Sequence, residues 1–170
     1  MNYIIAHAKA FAEHLHATQS YGHHPYAYHL EQVVDILKLA GYSSPHLDCD
    51  IIAAGWLHDS IEDTPYTWAR CVQDFGPDVA DIVQAVTDEP GANRRERHEK
   101  TYPKIKASEK ATAVKLADRI ANVLESMRNN SPTLKMYQKE HPGFQAGVRR
   151  ESYKDVRVTF LWTLLDKLIG

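Results

Sequence analysis

The chain is 170 residues long, with 20 Lys and Arg against 22 Asp and Glu, 44% hydrophobic residues and two cysteines. That length suits one domain able to bury about 70% of its unfolded surface, and a net charge of −2 excludes a broadly basic nucleic-acid binder. An ordinary hydrophobic fraction without low-complexity tracts likewise excludes a disordered chain.

Ile4, Ile5, Ala8, Phe11, Ala12 and Leu15 recur at three- and four-residue steps, which predicts an amphipathic helix over roughly 3–17. After a polar stretch from Gln19 to Pro25, a second stripe of Leu30, Val33, Val34 and Leu37 runs to Gly41, a residue suited to closing a helix. Ile51 to Leu57 is apolar on nearly all sides and predicts a central core helix, which ends in the polar run His58-Asp59-Ser60-Ile61-Glu62-Asp63. Thr64-Pro65 reads as the next helix start, since Thr can cap free amides and Pro loses nothing at the first helical position. That helix stops at Gly76, and Pro77 opens another with Val79, Ile82, Val83 and Val86 inward. Residues 89–108 hold Pro, Gly and a basic run from Arg94 to Lys100 with few apolar anchors before Ile105, and predict a loop or a solvated helix. From Ala111 onward Val114, Ala117, Ile120, Ala121, Leu124 and Met127 restore helical spacing, and a last helix is expected from about Gln145 to Leu168.

No segment alternates with period two long enough for a strand, and no Asn-Gly or Asp-Gly hairpin signal occurs. The predicted architecture is all-α, one helical domain over 1–170 without internal repeat or dividing linker. Cys49 and Cys71 lack C-x-x-C spacing, so reduced, buried thiols are expected rather than a redox motif or thiolate zinc site. No basic segment precedes an apolar run and no stretch of about 18 apolar residues occurs, so no membrane span is predicted and a cytoplasmic protein is expected.

Four candidate metal ligands lie on three predicted helices: His29, the adjacent pair His58-Asp59, and Asp118. Neighbouring residues on a helix point about 100° apart, so His58 and Asp59 can share one ion only off the helix shoulder, with other helices supplying the remaining donors. An unpaired carboxylate beside the core stripe at Asp118 would be costly, and a divalent cation resolves that cost. Glu62 and Asp63 follow His58 and Asp59 by one turn, where an attacking water or leaving group needs alignment or proton transfer.

The ordered set His29, His58-Asp59, Asp118, with Glu62-Asp63-Thr64 after the pair and Val114-Lys115-Leu116-Ala117-Asp118-Arg119 around the last ligand, resembles the HD superfamily of metal-dependent phosphohydrolases. More narrowly it resembles the alarmone hydrolase branch, that is, the hydrolase domain of RelA/SpoT-type proteins and the small alarmone hydrolases. Pro25-Tyr26-Ala27-Tyr28-His29 and Phe75-Gly76 with Val86-Thr87-Asp88 extend the likeness over roughly residues 5–140. The resemblance implies a compact HD-type fold and a single Mn²⁺ on His29, His58, Asp59 and Asp118, a nitrogen and oxygen set also compatible with Zn²⁺, Fe²⁺ or Mg²⁺. It further implies removal of the 3′-pyrophosphate from guanosine tetra- or pentaphosphate, with Glu62 and Asp63 as catalytic acids that position and activate water. Asn122 matches a family position near the nucleotide, and Tyr137 is expected at the sugar.

Typical members carry an Arg-Lys pair between the positions of Gln19 and Pro25, the Arg stacking on guanine. Here Ser20-Tyr21-Gly22-His23-His24 replaces it, so an adenosine 3′-pyrophosphate such as ppApp stands beside ppGpp as a substrate. The alternatives are another HD phosphohydrolase, a nucleotidase or cyclic-nucleotide phosphodiesterase, and a metal-bound nucleotide-binding module without turnover. Glu62-Asp63-Thr64 favours the first reading, and a module that only binds has no need of water-activating groups. The partner expected is thus a small nucleotide, with neither nucleic acid nor membrane. Arg94, Arg95, Arg97, Lys100 and Lys104 read as a solvated face, with closure over a polyphosphate as the functional version. The histidines outside the ligand set are expected mostly at the surface.

Overall fold

The computed structural model describes residues 3–170. The helices are α1 (Tyr3–Leu15), α2 (Ala27–Leu39), α3 (Cys49–Leu57), α4 (Ser60–Asp63), α5 (Trp68–Phe75), α6 (Pro77–Val86), α7 (Arg94–Ala107), α8 (Glu109–Arg128), α9 (Thr133–Val148) and α10 (Val156–Ile169). The two-residue strands β1 (Ser20–Tyr21) and β2 (His24–Pro25) pair antiparallel between α1 and α2, Tyr21 opposite His24. No strand was expected there. Gly22 makes it possible, since its φ of 61° is the left-handed value that a two-residue hairpin assigns to its first turn residue. Among the described residues no helix is long and apolar enough to cross a membrane.

Helix α8 is the axis of the fold, with α2, α6, α7, α9 and α10 packed around it. At 20 residues it runs about 30 Å. Val114, Leu116, Ala117, Ile120, Ala121 and Val123 are fully or almost fully buried on it, so its apolar surface wraps most of its circumference. Helix α3 is buried from Ile51 to Leu57, as its uniform apolarity predicts, and lies between α1, α2 and α6. Helix α2 buries His29 with Leu30, Val33, Val34, Ile36 and Leu37. It closes as expected at Gly41, whose φ of 101° lets its own amide reach the Lys38 carbonyl and the Tyr42 amide reach that of Leu37.

Two boundaries differ from those the sequence predicts. Thr64 ends a helix instead of starting one: its hydroxyl donates to the Ser60 carbonyl, and the next helix begins at Trp68 with Thr67 capping Arg70 N. The single helix expected from Gln145 to Leu168 is two elements, because residues 149–155 turn away. Glu109 accepts from the Lys154 and Asp155 amides there, and Asp155 caps α10 through Arg157 N. Residues 94–107 take the helical one of the two forms expected there. Asn93 caps Glu96 N, Glu96 reaches back to the Ala92 amide, and Arg95–Glu99 and Lys100–Glu96 pair one turn apart. Cys71 is buried as expected, whereas Cys49 is half-buried, and both thiols are free.

Helix α7 lies against α9 through a close approach at Gly147, where an added Cβ would stand 2.4 Å from Cδ2 of Tyr102. Gly147→Ala is therefore expected to destabilise the protein by about 1–3 kcal/mol, because the aromatic ring has to move. That outweighs the roughly 1 kcal/mol gained from better helix propensity. A thermal midpoint equal to or above that of the parent protein would refute this contact.

Candidate metal centre and its cavity

His29, His58, Asp59 and Asp118 converge from α2, the end of α3, the turn into α4, and α8. The His29 Nε2 stands 3.3 Å from Asp118 Oδ1 and 3.7 Å from Asp59 Oδ2. The His58 Nε2 stands 3.0 Å from Asp59 Oδ2 and 3.9 Å from Asp118 Oδ1. One potential donor atom from each of His29, His58 and Asp59 lies within 4.8 Å of the others. Both imidazoles are buried, and His58 Nδ1 lies 2.9 Å from the Gly55 carbonyl. A carbonyl only accepts, so Nδ1 carries a proton and Nε2 is the ring nitrogen that faces the cluster. That buried Nε2 makes no well-directed hydrogen bond and faces the Asp59 and Asp118 carboxylate oxygens, the surroundings a metal ligand requires.

Electrostatics agree with geometry. Burial opposes a charge on His58, but the Asp59 and Asp118 carboxylates outweigh it and raise its pKa to about 9. Burial would likewise raise both aspartates, yet His58 beside Asp59 and Lys115 beside Asp118 hold them below the ordinary carboxylate range. The cluster therefore favours whatever cation enters it, and a divalent ion competes with protons for the same lone pairs.

A cavity of about 260 Å³ opens on this cluster and brings together the other residues singled out in the sequence. His29, Asp59, Asp118, Glu62, Asp63, Asn122 and Tyr137 line it, and His58 is buried behind its wall. The Glu62 carboxylate accepts the Asp88 amide at 3.0 Å. Burial raises its pKa and that amide opposes the rise, while Asp63 is raised first by burial and then by Asp59. Asn122 donates to Asp118 Oδ1 at 2.6 Å and accepts from the Tyr21 hydroxyl at 2.8 Å, and Tyr21 stacks on His29.

The opposite wall is basic. Arg94 and Arg97 face the cavity, Arg94 in a two-bond pair with Glu140 and Arg97 3.9 Å from Asp88. The solvated-face reading holds for Arg95 and Lys100, which pair with Glu99 and Glu96 on their own helix, while Lys104 binds Glu89 and the Gln84 and Thr87 carbonyls. Lys115, Arg119 and Tyr26 are among the cavity-lining residues to which the sequence assigned no role. Lys115 contacts Asp118 Oδ2 at 3.0 Å, Arg119 lies over the rings of Tyr137 and Phe144, and Tyr26 bonds Asp59. Lys115 was findable, since it precedes Asp118 by three positions on one helix face. His16 and His141 are buried, the two exceptions among the histidines expected mostly at the surface, and half-buried His98 lines the cavity.

Fold and cluster together define a helical domain built around a histidine and aspartate centre. The chain belongs to the HD domain family, whose model matches residues 8–143. The family implies a divalent metal, and the buried unpartnered nitrogen among nitrogen and oxygen donors fits one. The chain is 34% identical over 110 residues to guanosine-3′,5′-bis(diphosphate) 3′-pyrophosphohydrolase MESH1 of Drosophila melanogaster, a match covering 64% of this chain and 59% of the fly protein. It is 29% identical over 119 residues to the Danio rerio protein of the same name, covering 69% of this chain and 66% of that one. The chain thus spans less than two thirds of the length of each. A solved structure described as a metazoan ortholog of SpoT that hydrolyzes ppGpp superposes with a TM-score of 0.78 at 24% identity, over 99% of this chain and 94% of that one. At that identity the likeness is one of fold.

Proposed function

We propose that this protein is a Mn²⁺-dependent nucleotide 3′-pyrophosphohydrolase acting on ppGpp, pppGpp or their adenosine counterparts. The observation that carries the reading is the convergence of His29, His58, Asp59 and Asp118 on one cavity whose remaining walls hold two carboxylates and a set of cations. The activity for which the MESH1 relatives are named supports it.

In this reading His29, His58, Asp59 and Asp118 would hold the ion, which would supply Lewis-acid charge at the 3′ phosphoryl group and lower the pKa of water. Glu62, fixed by the Asp88 amide, accepts the proton of the attacking water, and Asp63 aligns that water. The water oxygen joins the 3′ phosphorus, the bond to the ribose 3′ oxygen breaks, and a proton ends on that oxygen, giving pyrophosphate and a 5′-di- or triphosphate. Lys115, Arg94, Arg97 and Arg119 face the phosphates with complementary charge. Asn122 and Tyr137 contact the nucleoside.

The base is the open part of the specificity. Tyr21 occupies the segment where an arginine was expected, with its ring on His29 and its hydroxyl on Asn122, and supplies no cation. The purified protein with Mn²⁺ is expected to release pyrophosphate from ppGpp or ppApp, and to leave nucleoside monophosphates and cyclic nucleotides intact. Turnover of the latter compounds alone, or of nothing in the panel, would overturn the proposal.

A further inference from the structure

Tyr26 sits where the hairpin enters α2, and its position is fixed from several sides. Its carbonyl accepts the His29 amide at 2.9 Å, opening the helix that carries that histidine. Its ring stacks on buried His16 at 4.8 Å and meets His29 edge-on at 5.7 Å. Its hydroxyl then lies 2.6 Å from Asp59 Oδ2 and 3.4 Å from Asp63 Oδ2. Carboxylates only accept, so the phenol donates. The oxygen it reaches most closely is the one facing both His29 and His58. Beneath it, His16 bonds Gln19 at 2.6 Å, and Gln19 donates to the Asp63 carbonyl at 3.1 Å. The single phenolic proton goes to Asp59, and Asp63 lies in longer reach of the same hydroxyl; among the described residues Tyr26 is the one side chain within hydrogen-bond range of both aspartates.

We propose that Tyr26 is a positioning residue whose hydroxyl fixes the ligating oxygen of Asp59 and the carboxylate of Asp63 in one arrangement, coupling ion binding to water alignment. The inference rests on the functional reading above, in which Asp59 binds the ion and Asp63 works on water. A free Asp59 carboxylate can rotate its Oδ2 away from the imidazoles, and a 2.6 Å bond from a ring held by stacking prevents that. Outer partners of this kind typically govern metal affinity or activity by about 10–100-fold.

The test is Tyr26→Phe, which keeps the ring and its stacking and removes only the hydroxyl. Mn²⁺ affinity by calorimetry is expected to fall about tenfold, and kcat at saturating Mn²⁺ about 10–100-fold, with KM for the nucleotide within about twofold. The urea unfolding midpoint should change little. Tyr26→Ala should show the same functional loss plus a lowered midpoint, and Phe should restore stability over Ala without restoring kcat. Mn²⁺ affinity and kcat of Tyr26→Phe both matching the parent protein would overturn the inference while leaving the functional reading intact. A parent protein that neither binds Mn²⁺ nor hydrolyses the panel would overturn both.

Discussion

Asp118→Ala is expected to lose Mn²⁺ binding and nucleotide hydrolysis together. Asp118 Oδ1 is the oxygen nearest the His29 Nε2, and its other oxygen holds Lys115 at 3.0 Å. Removing the carboxylate deletes one candidate donor in four and leaves the half-buried Lys115 ammonium unpaired beside the remaining cluster, so the site loses negative charge that should attract the cation. Loss of an outer partner alone costs about 10–100-fold in metal affinity, and loss of a direct ligand should exceed that. Asp118→Asn keeps the volume and should fail in the same way, which separates charge from packing. Calorimetry with Mn²⁺ and pyrophosphate release are the two readouts. Either variant binding Mn²⁺ with the parent affinity would remove Asp118 from the ligand set.

Glu62→Gln should behave differently, keeping the ion and losing the rate. The Glu62 carboxylate is tied to the Asp88 amide and takes no part in the close contacts among the four donors. Gln keeps an oxygen for that amide but cannot accept a proton from water. A fall in kcat of about 10²–10⁴-fold is expected, the usual contribution of a general base, with Mn²⁺ affinity within a few-fold. Because burial raises the Glu62 pKa, the parent activity should decline on the acid side through a value above that of an ordinary glutamate. The residual activity of Glu62→Gln should lack that limb. A variant with parent kcat would remove Glu62 from proton transfer.

Much of the fold was legible because most helices have one apolar face. The stripes around Leu30, Ile51 and Val114 each predict a helix that exists, and Gly41 predicts where α2 stops. The join between α9 and α10 was hidden for the same reason: Val148 and Val156 are spaced as on one continuous helix, and the turn between them is made by Glu109, 45 residues upstream of Lys154. Thr64 is a residue type that can cap a helix start, but its hydroxyl turns back to the Ser60 carbonyl four residues earlier and closes a helix instead. In the site, residue type and order pointed to His29, His58, Asp59 and Asp118, and the cavity brings Glu62, Asp63, Asn122 and Tyr137 beside them. The contributions of Tyr26 and Arg119 are set by neighbours distant in the chain. No spacing rule exposes a phenol 33 residues from its aspartate.

The four candidate donors are spread from position 29 to position 118, on α2, the residue that closes α3, the turn after it and α8. No short fragment of the chain owns the centre, so fraying any one of these elements scatters it. An ion seated there would act as a staple across the middle of the molecule. It would bind only the intact arrangement and penalise every partly opened form by its full affinity, so that the apparatus for chemistry would also keep the domain closed.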